Sequence, residues 1–178
     1  MDQFETPRLT LLPLQRSHAA ELFDVLRDPE IHRFVARTPP ASVGELESRY
    51  AQLESRKSPN GEEQWLNWAV EERSSRTLVG LIQITVLKDK SALLAYLFSP
   101  AVWGRGYAAE GCTRILRELW DHSQVRTVEA TTDTRNARSI RLLERLCFRF
   151  IEERESDDII GGEKSREVVY RIAVGSEV

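Results

Sequence analysis

The sequence is poor in cysteine and lysine and has no long apolar run. Two cysteines in 178 residues, Cys112 and Cys147, cannot build a disulfide framework, and no histidine or cysteine spacing reads as a zinc site. No metal is expected, and a reducing cytoplasm is the expected compartment. No apolar stretch approaches the ~20 residues of a membrane span, so no membrane partner is expected. The first residues, MDQFETPRLTLLPL, place acids before the first basic residue and lack the apolar region of a secretory signal, so none is expected. Internal repeats, low-complexity tracts and Gly/Ser-rich linkers are also missing. That excludes solenoids and leaves one domain over residues 1–178 as the expectation.

What is present is ordinary globular usage, 41% hydrophobic and 30% charged residues, which excludes disorder and collagen. A chain of this length buries roughly 70% of its unfolded surface and needs no staples. A net charge of -3 offers no global attraction to nucleic acid. The local distribution is more informative. Of 25 basic residues, 21 are arginine. Nine of these lie between Trp103 and Arg149, beside six acids and no lysine, so that stretch is +3 and the remainder -6. A basic segment in an acidic chain suits a small polyanionic ligand, or else a solvated helix face.

The periodicity predicts an α/β order. Residues 8–14 read as a strand. Residues 18–27 read as a helix, with Ser17 as its cap and Asp28-Pro29 as its stop. Residues 43–57 read as a second helix, with Ser42 as cap and Glu45 in the capping-box position. From residue 65 the period becomes two. Segments 65–71, 78–86 and 92–98 read as an antiparallel meander, and the third, apolar on both faces, is expected to be central. Residues 106–122 carry Ala108, Ala109, Cys112, Ile115, Leu116, Leu119 and Trp120 in one helical stripe. Cys112 reads as a core thiol, because no histidine is placed to activate it. A strand at 125–131 and a helix at 135–146 follow. Closing strands at 148–152 and 168–174 flank a polar turn containing Gly161-Gly162.

Chemistry concentrates in residues 92–109, where a buried strand leads through WGRGYAAEG into a helix. Gly104 and Gly106 allow the backbone to approach a ligand. The first helical turn leaves N–H groups unpaired, with partial positive charge behind them. Together these suit a phosphate, and Arg105 can add a charge-assisted contact. A tight turn that merely requires glycine accounts for the two glycines equally well. The segment also fits the dinucleotide fingerprint, as Gly104, Gly106 and Ala109 with an acid at Glu129. Three features oppose a nicotinamide-dependent oxidoreductase. Meander strands precede the fingerprint, only 74 residues follow Gly104, and five residues separate the strand from that glycine.

These residues resemble the GNAT superfamily of N-acetyltransferases, in the branch of ribosomal-protein N-terminal acetyltransferases (RimJ/RimL type). That family's acetyl-CoA motif, Q/R-x-x-G-x-G/A, stands here as Trp103-Gly104-Arg105-Gly106-Tyr107-Ala108, with tryptophan in the first place. Glu110 matches the branch's acid two residues later. Asn136, Ser139, Glu144 and Phe148 match its N-x-x-S-x-x-x-x-E-x-x-G-F, with Cys147 replacing the glycine. The segments TPRLTLLPL and DPEIHRF are similar to the branch as well, so the resemblance covers nearly the whole chain.

The resemblance implies a mixed, mostly antiparallel sheet with a splayed central parallel strand pair flanked by helices. It implies acetyl transfer from acetyl-CoA to a primary amine, a protein N-terminus or a small molecule. A non-catalytic acyl-CoA-binding module is the alternative. Backbone near Leu97 and Phe98 would pair with the pantetheine arm as an added strand does. The amides of Gly104, Arg105, Gly106, Tyr107 and Ala108, following Trp103, would hold the pyrophosphate. Asn136 would bond the pantetheine side, or else cap a helix. Ser139 would serve the leaving thiolate, or else be a solvated hydroxyl. The tyrosine that many relatives use for that role is missing at the matching position, Leu143. Glu71 and Asp133 are candidate bases, although each also reads as a surface or turn carboxylate. His32 reads as lining the acceptor side or as solvated, Glu110 as an acid suited to the helix N-terminus, and Trp65 and Trp68 as core or cleft wall. Homodimers are common among such relatives.

Overall fold

In the computed structural model, which describes residues 2–175, the chain runs through β1 (Phe4–Glu5), β2 (Leu9–Pro13), α1 (Ala19–Leu26), α2 (Pro29–His32), α3 (Val43–Glu54), β3 (Gln64–Glu72), β4 (Thr77–Val86) and β5 (Ser91–Phe98). It continues through α4 (Tyr107–His122), β6 (Thr127–Asp133), α5 (Ala137–Arg145), β7 (Arg149–Ile160) and β8 (Glu163–Ala173). The strands form one sheet in the order β1-β2-β3-β4-β5-β6-β8-β7. Every neighbouring pair is antiparallel except β5 and β6. The mixed, mostly antiparallel sheet is therefore present, with the meander of β3, β4 and β5 at its centre.

Alternation of side chains along the strands separates two cores. On one face Trp68, Val70, Ile82, Ile84, Leu94 and Phe98 pack with Cys112, Ile115, Leu116 and Leu119 of α4 and Leu143 of α5. On the other, Ala69, Leu78 and Leu81 pack with Leu22 and Leu26 of α1 and Leu46, Tyr50 and Leu53 of α3. Each buried leucine contributes roughly 1.5–3 kcal/mol of transfer free energy. Gly111 sets the depth of α4 on the sheet: a Cβ there would stand 2.8 Å from Ile82 Cδ1. Cys112 is fully buried in this layer, and burial pushes its thiol pKa up. It is a core thiol, as its position in the stripe implied.

Several boundaries differ from the expectations. Ser17 lies inside a 3-10 turn, Arg16–His18, and does not cap α1. The amide of Gln15 donates instead to His18 Nδ1 at 3.1 Å. Asp28 ends α1 and also starts α2, since its Oδ1 accepts the Glu30 amide at 3.0 Å. Ser42 caps α3 as expected, accepting the Glu45 amide at 3.1 Å, while Glu45 reaches back to the Ala41 amide. The polar connection expected after residue 152 is mostly strand. β7 and β8 form a long hairpin closed by Gly161-Gly162 at φ 65° and 85°, the requirement of a two-residue primed turn. Its alternation is hidden by charge: β7 is exposed along nearly its whole length and meets β8 through ion pairs such as Arg166–Glu153 at 2.7 Å. β5 is central but is not covered on both faces, because Leu93 is 44% exposed.

The exposed face of β5 adjoins a divergence. β5 and β6 pair only at Ser91–Thr127, Ala92–Val128 and Leu93–Glu129. From there β6 follows β8 as far as Asp133–Glu167, and β5 follows β4 as far as Phe98–Gly80. An irregularity at Val70/Glu71 leaves Val79 without a register partner on β3, and its carbonyl accepts the Ser99 amide at 2.8 Å. Gly80 lets β5 come close, since a Cβ there would stand 2.5 Å from Leu97 O. β5 is thus drawn to β4 while β6 is held by β8, and the strand edge from Leu94 to Phe98 faces a gap.

Candidate coenzyme site

At the end of the splayed strand the chain makes a 3-10 turn, Pro100–Val102, capped by Ser99. Trp103 leaves it extended, and its indole donates to Phe98 O at 2.8 Å. Gly104 and Gly106 then take φ 77° and 81°, a backbone that side chains with a Cβ adopt only under strain. The Arg105 amide donates to Val102 O. Among the described residues the amides of Gly104, Gly106, Tyr107 and Ala108 have no acceptor. They open α4, where the helix adds partial positive charge. A Cβ at Gly104 would stand in open space, so the glycine keeps clear the approach to these amides.

The turn is held from three sides. Arg8, at the start of β2, donates to Arg105 O at 2.7 Å and, through Nε, to Glu110 Oε2 at 2.7 Å. Its guanidinium lies 4.7 Å from the Tyr107 ring centroid. Glu110 also accepts the Thr6 hydroxyl at 2.6 Å and the Arg8 amide at 2.9 Å. Burial alone would raise the Glu110 pKa, and these donors outweigh it and leave it lowered. From β3, Glu72 accepts the Tyr107 hydroxyl and a weaker contact from Arg105 at 3.4 Å. The Tyr107 hydrogen bond is the main reason that the Glu72 carboxyl stays below its usual range. From α5, Arg138 stacks 3.7 Å from the Trp103 ring centroid. Glu110 is therefore the centre of a latch, a larger role than the favourable first-turn charge expected for it.

Across the gap, α5 begins where β6 ends. Asn136 caps it: Oδ1 accepts the Ser139 amide at 3.2 Å, and Nδ2 donates to Thr132 Oγ1 at 3.1 Å. The Ser139 hydroxyl lies 2.7 Å from that of Tyr96 on β5, so it is partnered within the protein. Asp133 is not placed as a base. Arg135 grips it through the backbone amide, Nε and a terminal nitrogen at 2.8–2.9 Å, and Ser165 adds a fourth bond. These contacts, led by the Arg135 side chain, hold its pKa at about 2. Such a carboxylate anchors the turn into α5. Glu71 is buried and pairs with Arg76 at 3.0 Å. Both are buried strand carboxylates held in ion pairs, and neither is the surface or turn group that the sequence also allowed.

His32 is half-buried. Its ring nitrogens lie 2.8 and 2.7 Å from the carbonyl oxygens of Arg37 and Leu26, fastening the stretch after α2. Trp68 is fully buried beside Phe4, and the Trp65 indole donates to Glu63 at 2.9 Å. Among the described residues no group of three or more His, Cys, Asp or Glu side chains could hold a metal, and no helix is long and apolar enough to cross a membrane. Sequence reading missed Arg8, Glu72, Tyr96 and Arg138. Tyr96 did leave a signal, as the one side chain with a hydroxyl inside the apolar run ALLAYLF.

A parallel pair that opens beside a turn of unpaired amides can take a polyanion at the amides and an extended chain along the free strand edge. Residues 8–149 match the Acetyltransferase (GNAT) domain family, and the chain belongs to it; it is an acetyl-CoA-dependent acetyltransferase. It is 24% identical over 146 residues to the uncharacterized N-acetyltransferase YoaA of Bacillus subtilis, covering 81% of each chain. Similar solved structures include RimL, a ribosomal L7/L12 α-N-protein acetyltransferase in complex with coenzyme A, with TM-score 0.87, 13% identity and coverage of 99% of this chain and 100% of that one. Spermidine N-acetyltransferase from Vibrio cholerae, in complex with CoA and spermine, has TM-score 0.80 and 19% identity, covering 95% of this chain and 97% of that one.

Proposed function

We propose that the protein, as one domain over residues 1–178, acetylates a primary amine, either a protein N-terminus or a small molecule, in the cytoplasm. Bound acetyl-CoA supplies an acyl group activated as a thioester. The amides of Gly104, Gly106, Tyr107 and Ala108 take its pyrophosphate, and Trp103, Arg105 and Arg138 border that end with aromatic surface and positive charge. Backbone groups near Leu97 and Phe98, with Asn136, line the arm, and Ser139 stands at the sulfur end. The observation that carries this assignment is the divergence of β5 from β6 beside those unpaired amides.

The acceptor enters from the opposite face of β5, toward α1, α3 and the β7–β8 hairpin. That face presents Leu93, Ala95 and Leu97, none of which titrates. With Asp133 and Glu71 engaged elsewhere, water carries the amine's proton away. The row that reaches β5 at Ala95 holds Gln83, which donates to Asn67 at 2.9 Å and leaves its own carbonyl oxygen to receive an amine N–H. The two solved relatives act, by their names, on a ribosomal protein and on spermidine, which supports an amine acceptor without choosing between the two kinds.

Calorimetric titration with CoA, followed by thiol release from acetyl-CoA across polyamines, aminoglycosides and N-terminal peptides, tests the assignment. CoA binding with turnover on one acceptor class is expected. No binding at micromolar to millimolar CoA would end it. Binding without turnover on any amine would leave the acyl-CoA-binding module.

A further inference from the structure

We propose that Tyr96 is a positioning residue for the transfer: it donates its hydroxyl hydrogen to Ser139 and so leaves the Ser139 hydrogen directed into the gap between β5 and β6. The inference rests on the placement of Ser139 proposed above and adds a residue from the strand on the other side of that gap.

The hydrogen count carries it. Each hydroxyl has one hydrogen to donate and lone pairs to accept. The two oxygens are 2.7 Å apart, so one hydrogen lies between them. If it belongs to Ser139, that serine has nothing left for a sulfur. If it belongs to Tyr96, the Ser139 hydrogen is free. A phenol is the stronger donor of the two, since its reference pKa is about 10 and a serine hydroxyl is far less acidic. Among the described residues Ser139 has no other side-chain hydrogen bond, so it does not bend back onto the carbonyl of its own helix, the usual alternative. Its amide is fixed by Asn136, which sets the direction of the side chain.

Tyr96 lies beyond the last parallel pair, Leu93–Glu129, and opposite Ile82 on β4. Its ring packs against the core below α4 and α5. The titratable or polar groups acting on it are Ser139 from α5 and Cys112 from α4, a thiol that burial keeps protonated. Burial likewise pushes the Tyr96 pKa up. The phenol therefore keeps its hydrogen at every pH where the protein works. Tyr96 thus brings a phenol to Ser139 from β5, whereas Leu143 on α5 is buried in the core.

The test uses the full chain with Tyr96→Phe, Ser139→Ala and the double variant. Expected for Tyr96→Phe are a kcat at least about tenfold lower, a threshold set below the roughly 10²–10⁴-fold of a full acid–base group because the serine stays, an unchanged KM for acetyl-CoA and an unchanged CoA Kd. The double variant should be no slower than Ser139→Ala, because the tyrosine acts only through the serine. A readout without turnover accompanies these. The ionisation of the bound CoA thiol, followed by thiolate absorbance, should move to higher pH in Ser139→Ala, because a donor to the charged form is lost, and in the same direction but less far in Tyr96→Phe, where the serine keeps its hydrogen and loses the contact that aims it. A merely structural role would lower thermal stability and move neither thiol ionisation nor the ratio of kcat between single and double variants. Wild-type kcat and thiol ionisation in folded Tyr96→Phe would overturn the proposal. If Tyr96→Phe does not fold, biosynthetic replacement of tyrosine by a fluorinated, more acidic analogue keeps the hydroxyl; bound-thiol ionisation unchanged by that replacement would overturn it equally. Failure of the wild-type protein to bind CoA would instead sink the placement of the coenzyme.

Discussion

Gly104 and Gly106 share their left-handed backbone with Gly161 and Gly162: φ is 77° and 81° in one turn, 65° and 85° in the other. Neither Gly104 nor either hairpin glycine has a neighbour within 4 Å of an added Cβ. By conformation alone the two turns are alike. They differ in what surrounds them. The first is held by Arg8, Glu110, Glu72 and Arg138 and leaves amides unpaired at the mouth of a helix. The second joins β7, exposed along nearly its whole length, to the exposed first residues of β8 and reverses the chain. A positive φ explains why a residue is glycine; only the fixed, unpartnered groups beside it make a binding site.

Gly106→Val is the hardest blow to that contrast. The substitution forces a β-branched residue into left-handed backbone, costing ~1–2 kcal/mol, and sets its side chain among the amides and 3.4 Å or less from Arg8. CoA affinity should fall at least about 100-fold, roughly 2.7 kcal/mol, read by calorimetry on folded protein. Normal affinity would move the phosphate site elsewhere. Glu110→Ala comes next. It removes the carboxylate that Thr6, the Arg8 amide and Arg8 Nε share, a loss of about 1–3 kcal/mol in unfolding free energy. Because the latch fixes the turn, CoA affinity should weaken about tenfold, though Glu110 is placed behind the amides. Undiminished affinity with lost stability would show that the turn holds its shape without the latch.

Asp133→Asn tests the far wall of the gap. The carboxylate receives Arg135 and Ser165, and Asn136 follows on the same turn, its amide donating to Asp133 O at 2.9 Å. Removing the charge should cost about 1–2 kcal/mol. The pH dependence has a definite sign. The folded pKa of about 2 lies below the unfolded value near 3.9. The stabilisation is thus complete above that unfolded value and is lost as pH falls from about 4 through about 2. Urea unfolding of wild type and variant should converge in that window. A constant difference in stability from pH 7 to pH 2 would contradict the assignment.

The same contrast explains what the sequence made legible. The glycine turn, the α4 stripe and the three meander strands are written in local periodicity and spacing, and each stands within a few residues of expectation. Ser17, the second half of β7 and the fate of Asp133 were not legible, because each is decided by a partner distant in sequence or by a side chain's choice among nearby donors. Arg8 and Glu110 are 102 residues apart, and Tyr96 and Ser139 are 43 apart. No spacing rule brings such pairs together; the sheet order does. Cys147 shows the reverse. It stands at φ 63°, just after α5, where the branch places glycine, so a departure visible in the motif proves to be a left-handed helix end occupied by a residue with a Cβ.

Gly161→Asn should do least, and its smallness is the point. A two-residue primed hairpin turn accepts asparagine followed by glycine as its favoured pair, since asparagine tolerates left-handed backbone. The substitution keeps Gly162, meets no neighbour, and removes some freedom from the unfolded chain. Stability should stay within about 0.5 kcal/mol of wild type, with any change toward greater stability. CoA affinity and kcat should not move. Two left-handed glycines of similar φ would then respond to substitution in opposite ways, one through lost binding and the other hardly at all. A weakened CoA complex in Gly161→Asn would mean that the hairpin tip reaches the coenzyme, and the proposed separation between a turn that binds and a turn that only reverses the chain would fail.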